Sequence, residues 1–200
     1  MATLDYTLDM RNRENVPFQG SFSALQEAIY LLSENNTRIA IASIGCFALI
    51  TPYLAGVANN FNKVFMTKNI GCIKSKSLTL RERLINAAEV AAEFNGADYG
   101  IAISEVYQDI DSDDFYCIAS ITNFDDAIFI TVKADLNTKP YDIIIYVVNA
   151  VMETIKRLTD DKIAEKERKR INRRIIPLKV AIICCGTGIV VCITRLISLL

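Results

Sequence analysis

The sequence predicts a three-layer α/β domain built on a mixed sheet, followed by a C-terminal transmembrane helix. Two observations carry this prediction. Helical and strand-like apolar patterns alternate along the first 160 residues, and an apolar run with no polar face occupies the C-terminus. The predicted organisation is an N-terminal arm at 1–20, the α/β domain at 21–160, a basic helical linker at 161–174 and a transmembrane anchor at 175–200.

Each element of the domain has a local signal. Residues 22–35 and 78–94 place apolar side chains at helical spacing, and Asn95 with Gly96 is a typical helix end. The short turn at 123–126 joins two β-like runs and predicts a hairpin. In chain order we expect helix 22–35, strand 39–44, helix 46–58, strand 63–70, helix 78–94, strands 99–107, 115–122 and 127–132, and a long helix from Pro140.

The apolar stretch at residues 39–58 allows two interpretations. Residues 39–43 are β-like, Gly45 favours a turn, and Pro52 interrupts a continuous helix. A central parallel strand is buried on both faces and is therefore an unbroken apolar run. We expect a buried strand followed by a helix; the alternative is a first membrane span.

The anchor prediction rests on length and flanking charge. Fifteen uncharged residues separate Lys179 from Arg195. About 20 apolar residues span a bilayer core, and the apolar stretch lengthens to about 25 residues when Lys179 and Arg195 extend to the two interfaces. A basic collar precedes the run, and the positive-inside rule keeps the collar and the domain in the cytoplasm. The collar consists of Lys166, Arg168, Lys169, Arg170, Arg173 and Arg174. The alternative is a buried C-terminal helix of the domain.

Composition excludes several classes of function. The first 165 residues hold 14 Lys and Arg against 22 Asp and Glu, so the domain is a poor nucleic-acid binder, whereas the collar suits anionic lipid. The absence of histidine excludes His-dependent triads and His metal sites. The acidic turn at 109–114 lacks the glycine and the distal Glu of a calcium loop. No metal or cofactor is therefore expected.

Cysteine spacing indicates the redox compartment, and amino-acid composition indicates the type of genome. The six cysteines form no C-x-x-C pair, which is typical of free thiols in a reducing compartment. Richness in Ile, Asn and Lys fits an AT-rich genome, such as that of a bacterium or its phage. For a phage protein, the anchored membrane would be the inner membrane of the host.

One stretch resembles a known family. Residues 96–103, GADYGIAI, are similar to a "G-A-D-x-G-I-A" phrase of the CinA C-terminal domain, the nicotinamide-nucleotide amidase family. Three other segments also resemble that family in the order of their elements and in their amino-acid sequence: the strand FYCIASIT at 115–122, the helix from Pro140 and the segment at 24–49. The resemblance covers roughly residues 22–158. It implies the family's fold and a tendency to self-associate.

The resemblance also implies amide hydrolysis by an activated serine with a Tyr and a Lys, but the matching positions differ. Ile44 stands where the family has the serine, and Phe47 stands where the following turn has a glycine. Thr67 occupies the Tyr position and Cys72 the Lys position. The glycine-rich substrate loop is replaced by SEVY at 104–107.

We therefore assign no catalytic residue, and we retain one candidate arrangement. Ser43, displaced by one position, would pair with Lys68 or Lys74 as a nucleophile and its base. The competing interpretation is that Ser43 bonds the local backbone and that both lysines are solvated.

Three functions follow as hypotheses. The favoured one is a catalytically degenerate CinA-like domain, anchored in a membrane through residues 175–200, that binds a protein partner or a second copy of itself. The second is a membrane-bound amidase with a relocated serine. The third is a two-span membrane protein unrelated to CinA, with residues 39–58 as the first span.

Overall fold

The computed structural model describes residues 2–11, 22–43, 47–57, 61–66, 78–109, 112–123 and 125–197; beyond residue 169 it describes the backbone only. Two compact units divide the chain, one of residues 1–156 and one of residues 157–200. The first unit contains the whole described sheet, four of the five described helices and the first part of the fifth. The second is the continuation of the last helix.

Seven strands and five helices make up the described chain. The strands are β1 (Ala2–Asp9), β2 (Ile39–Ser43), β3 (Phe65–Met66), β4 (Tyr99–Ile103), β5 (Tyr107–Gln108), β6 (Asp114–Thr122) and β7 (Asp126–Asp135). The helices are α1 (Phe22–Glu34), α2 (Phe47–Val57), α3 (Phe61–Val64), α4 (Leu80–Asn95) and α5 (Pro140–Ile197).

The strands form one mixed sheet in the order β1-β7-β6-β4-β2-β3, with β5 also paired to β6. Strand β6 is antiparallel to β4, β5 and β7, whereas β1 with β7, and β2 with β3 and β4, pair in parallel. Only β6 therefore runs against the common direction. This arrangement confirms the predicted α/β class and the mixed sheet.

Most predicted elements are present close to their predicted bounds: α1, β2, α2, α4, β4, β6, β7 and the start of α5. The region predicted as a strand at 63–70 contains the end of α3 and the two-residue strand β3, and residues 67–70 lie outside the described chain. The strand predicted at 99–107 is split into β4 and β5. Residues 2–9 of the expected N-terminal arm are extended, and they form strand β1 beside β7.

Helix α4 shows how local sequence fixes an element. Thr79 is its N-cap: the Thr79 hydroxyl accepts from the Glu82 amide at 3.3 Å, and the Glu82 carboxylate accepts from the Thr79 amide at 2.7 Å. The helix ends at Gly96, whose φ of 58° lies in the left-handed region. Between these caps, small apolar residues on one face are buried: Leu84, Ala87, Ala88, Ala91 and Ala92.

Both faces of the central strands are covered. On one face α4 packs against Ala40, Ala42 and Ala102, with Ile118 and Phe129 in the same cluster. The alternate residues of β2 and β4 face the other way, and they are buried as well. Helices α1, α2 and α5 supply further buried apolar side chains. A hydrogen bond of 2.9 Å from the Tyr53 hydroxyl to the side-chain oxygen Oδ1 of Asn149 joins α2 to α5.

Within the apolar stretch at 39–58, residues 39–43 form a strand and residues 47–57 form a helix, as predicted, and the alternative of a first membrane span is wrong. Strand β2 is paired on both sides, with β3 and with β4. Helix α2 has 11 residues, a length of about 16 Å at 1.5 Å per residue, which is well short of a bilayer core.

No helix in the part of the chain with described side chains is long and apolar enough to cross a membrane. The side chains of the predicted anchor at 175–200 lie outside that part. The backbone of α5 is helical as far as Ile197.

Candidate functional site

The resemblance directs attention to the carboxyl ends of β2 and β4, which lie side by side. Ser43 is the last residue of β2 and pairs in register with Ile103, the last residue of β4. Residues 44–46 and the side chain of Ser43 lie outside the described residues, as do Lys68 and Lys74. The candidate Ser–Lys pair therefore stays a prediction, and the described part of this edge is the segment that follows β4.

Ser104, the first residue after β4, holds this segment to β6. Its side chain is buried, its backbone amide donates to the Ile118 carbonyl at 2.8 Å, and its hydroxyl oxygen accepts from the Ile118 amide at 2.9 Å. The same hydroxyl donates to the Glu105 carbonyl at 2.8 Å. The Cys117 thiol donates to the Ser104 carbonyl at 3.5 Å. Backbone and side chain together fasten the end of β4 to its neighbour.

The chain then continues along β6. Tyr107 of β5 pairs with Tyr116 of β6, and the two rings stack with centroids 5.9 Å apart. The Asp109 amide donates to the Asp114 carbonyl at 2.9 Å. Burial raises the pKa of Tyr107 above its ordinary value. The amide groups of Ser104 and Asp109, at the two ends of the segment, are thus committed to β6. This is the segment at which the sequence resemblance leads us to expect a glycine-rich loop.

The opposite end of β4 contains the residues that resemble the family most closely. Gly100 lies against α4 so closely that a Cβ atom there would be 2.0 Å from the Ala88 carbonyl oxygen. Only glycine allows strand and helix this close approach. Gly96 supplies the left-handed residue that ends α4.

Asp98 and Tyr99 complete this turn. The Asp98 carboxylate accepts from the Arg38 amide at 2.8 Å, and the Asp98 and Tyr99 amides both donate to the Arg38 carbonyl, at 2.9 and 3.2 Å. These bonds join the start of β4 to the start of β2. In the motif GADYGIAI, Gly96, Asp98, Tyr99 and Gly100 therefore each have a structural role, either in the turn or in packing.

A charged cluster at the carboxyl ends of β1 and β7 and the amino end of β6 was not predicted from the sequence. Asp114 is buried, and its carboxylate contacts Lys133 Nζ at 2.7 Å and a guanidinium nitrogen of Arg11 at 3.1 Å. Arg11 also binds Asp9 at 2.5 Å, and this pairing holds the pKa of Asp9 below its ordinary value. Asp114 raises the pKa of Lys133.

Asp114, the last residue of the acidic turn at 109–114, is therefore buried and paired with two cations. No sequence signal could have found this cluster, since Arg11 and Asp114 are 103 positions apart. Within the described residues, no group of three or more His, Cys, Asp and Glu side chains is arranged to hold a metal ion. The arrangement binds three strand ends together.

The collar residues lie on α5, in the second unit. Lys166, Arg168 and Lys169 are exposed, and Lys169 contacts Glu165 at 2.6 Å, which lowers the pKa of Glu165. The backbone at Arg170, Arg173 and Arg174 is helical, and their side chains lie outside the described residues.

Comparisons with solved structures agree with the fold. A competence/damage-inducible protein, CihA, from Agrobacterium tumefaciens superimposes with a TM-score of 0.53 at 9% identity, over 68% of this chain and 94% of that one. A competence or damage-inducible protein from Enterobacter asburiae gives 0.51 at 11% identity, over 70% and 98%. No family model matches the sequence, and no curated protein matches it either. The likeness is one of fold alone, and the domain has a CinA-like fold.

Proposed function

We propose that the protein is a catalytically degenerate CinA-like domain, anchored in a membrane at its C-terminus, that serves as a protein-interaction module on the cytoplasmic face. One observation carries the degenerate half of this proposal: the segment after β4 is bonded to β6 where the resemblance expects a glycine-rich substrate loop. The anchored half rests on the sequence of residues 175–200 and the basic collar before it.

Amide hydrolysis by a serine has two requirements that a site at the carboxyl ends of β2 and β4 would have to meet. General-base assistance to the nucleophile contributes roughly 10²–10⁴-fold to the rate. A backbone or side-chain donor aimed at the oxyanion contributes roughly 10²–10³-fold. The amides of Ser104 and Asp109 already donate to β6, and the Ser104 hydroxyl is committed to the local backbone. These groups are therefore not available to a substrate.

The first test is an amidase assay on the full chain in detergent, with nicotinamide mononucleotide as the substrate that the resemblance implies. We expect no release of ammonia above that of a sample without protein. Ser43→Ala is the matched variant. Turnover that disappears in Ser43→Ala would overturn the proposal in favour of the membrane-bound amidase.

The second test addresses the anchor. The full chain should stay in the membrane fraction after extraction at alkaline pH, because residues 175–200 supply a span of apolar helix. A chain ending at Arg174 should move to the soluble fraction. A full chain that is soluble without detergent would show that residues 175–200 are a helix of the domain and would overturn the anchored half of the proposal.

A further inference from the structure

Strand β1 is an exposed edge of the sheet. It has eight residues and pairs on one side with β7; within the described residues no strand pairs with its other side. Residues 3–7 are all exposed, and Leu4, with 52% of its surface accessible, is one of the large exposed apolar side chains. A long edge strand with unpaired backbone groups is a template for pairing with another strand.

The pairing with β7 determines which backbone groups point outward. The Met10 amide donates to the Lys133 carbonyl at 2.9 Å, so even-numbered residues direct their amide and carbonyl groups toward β7. Direction alternates along a strand. Thr3, Asp5, Thr7 and Asp9 therefore present their amide and carbonyl groups at the free edge.

We propose that two copies of this chain join through β1, antiparallel and about a two-fold axis, so that Tyr6 of one copy lies opposite Tyr6 of the other. The two sheets would then form one continuous sheet. In this register Asp5 lies opposite Thr7 of the second copy, and Thr3 lies opposite Asp9. These outward-facing residues form the hydrogen-bonded pairs of the new ladder.

Charge selects this register over its neighbours. The side-chain face is preserved only if the register shifts by whole two-residue steps. One step in one direction places Asp5 opposite Asp5, and one step in the other places Asp5 opposite Asp9; like charges directly opposite each other are destabilising. With Tyr6 at the centre, no acid faces an acid. Asp5 also keeps its ion pair with Arg81, at 2.8 Å.

The side chains on the other face of β1 match as well. Leu4 would lie beside Leu8 of the second copy, and the two Tyr6 rings would lie beside each other at the axis. Aromatic and aliphatic pairs across antiparallel strands stabilise such a ladder. The second copy would cover Leu4 and Tyr6, which are 52% and 36% exposed in the single chain.

This inference deepens the proposed interaction role, on which it rests, by naming the partner as a second copy and the surface as β1. Its tests are separate from the amidase and fractionation tests. The β1 contact can therefore fail while the degenerate, anchored domain stands, and the reverse also holds.

Cysteine cross-linking tests the register. In the proposed pairing the two Tyr6 Cα atoms form a non-hydrogen-bonded pair about 4.5 Å apart, which is within the about 4.4–6.8 Å range of disulfides. Tyr6→Cys in the full chain, in detergent with a mild added oxidant, should give a cross-linked dimer that is absent from the wild-type chain. Leu4→Cys, which faces Leu8, should not. Cross-linking of Leu4→Cys without Tyr6→Cys would refute this register.

Proline substitution tests the backbone pairing. Thr7→Pro removes an outward amide and leaves the ladder to β7 intact, whereas Thr7→Val keeps the amide. Two hydrogen bonds are lost for each dimer, so the dimer dissociation constant should rise by about tenfold or more in Thr7→Pro. Thr7→Val should stay close to the wild type. Sedimentation of the full chain in detergent measures both.

The remaining outcomes are decisive. A full chain that sediments as a monomer at every concentration would overturn the proposal. So would a dimer that is equally stable in Thr7→Pro and does not cross-link through Tyr6→Cys, because association would then use another surface.

Discussion

The two ends of strand β4 differ in what they share with CinA proteins. At the start, Gly96 and Gly100 belong to the phrase that resembles the family, and the structure uses them to turn the chain and to bring the strand against α4. At the other end, Ser104 begins the segment where the resemblance leads us to expect a glycine-rich loop, and hydrogen bonds join this segment to β6. The comparison teaches that a sequence motif can be explained by turn geometry and packing alone, without reference to chemistry at the other end of the strand.

The physical reason is that the two ends answer to different constraints. A Cβ atom at Gly100 would lie 2.0 Å from the Ala88 carbonyl oxygen, so this glycine cannot be replaced while the fold is kept. A substrate loop carries no such constraint, since loops tolerate change at small cost to stability. Resemblance in the turn therefore supports the fold, and it is no measure of activity.

The largest expected effect is at the start of β4. Gly100→Ala should lower the free energy of unfolding by about 3 kcal/mol or more, because the obstructing atom belongs to the α4 backbone and cannot rotate away. Urea denaturation followed by tyrosine fluorescence measures this, since the chain has no Trp. Gly56→Ala is the control: nothing lies within 4 Å of its Cβ position, so it should be neutral or slightly stabilising. Equal effects of the two variants would refute the close-packing argument.

A smaller effect is expected at the end of β4. Ser104→Ala removes the acceptor of the buried Ile118 amide, and an unsatisfied buried donor costs about 1–3 kcal/mol. The control is Ser112→Ala, whose exposed hydroxyl donates to Asp109 at 3.1 Å and should matter by less than about 0.5 kcal/mol. Hydrogen exchange should also accelerate at Ile118. An unchanged exchange rate would mean that the segment is not held by this serine.

The smallest effect on stability is expected at Thr79, the N-cap of α4, the helix that packs against the start of β4. Thr79→Ala should lower the free energy of unfolding by about 1 kcal/mol. The hydrogen bonds from Thr79 hold the pKa of Glu82 below its ordinary value, and the substitution should raise it toward that value. NMR titration of the Glu82 carboxyl measures the change.

The sign of the pH dependence follows from this direction. A carboxyl whose pKa is lower in the folded state stabilises the fold above its unfolded pKa, and this contribution disappears as the pH falls through the folded value. The difference in stability between wild type and Thr79→Ala should therefore narrow in acid, below about pH 4.5. A difference that stays constant down to pH 2 would contradict the capping box.

Elements with strong local patterns were predictable. The periodicity of residues 80–95 and the caps at Thr79 and Gly96 act within a few residues, and the structure has α4 there. Strand β2 was predictable because a short, unbroken apolar run is typical of a strand buried on both faces. Pro52 in the apolar stretch that follows favoured a short helix over a membrane span.

Strand β1 was missed although a signal was present. Leu4, Tyr6 and Leu8 alternate with polar residues, which is the period of a strand with one apolar face. The alternation alone would not have placed β1 beside β7, because parallel pairing joins residues more than 120 positions apart in the sequence. The cluster around Asp114 was unpredictable for the same reason.

The sequence by itself determined the local elements, the acidic character of the domain and the glycines that its turn requires, because propensity, periodicity and charge act over short spans of chain. Only the tertiary structure decided that β6 runs against the other strands, that Ser104 closes the end of β4, and that β1 is the free edge. Each of these depends on which distant strands meet, and the free energy of that meeting comes from burial and hydrogen bonding across the sheet.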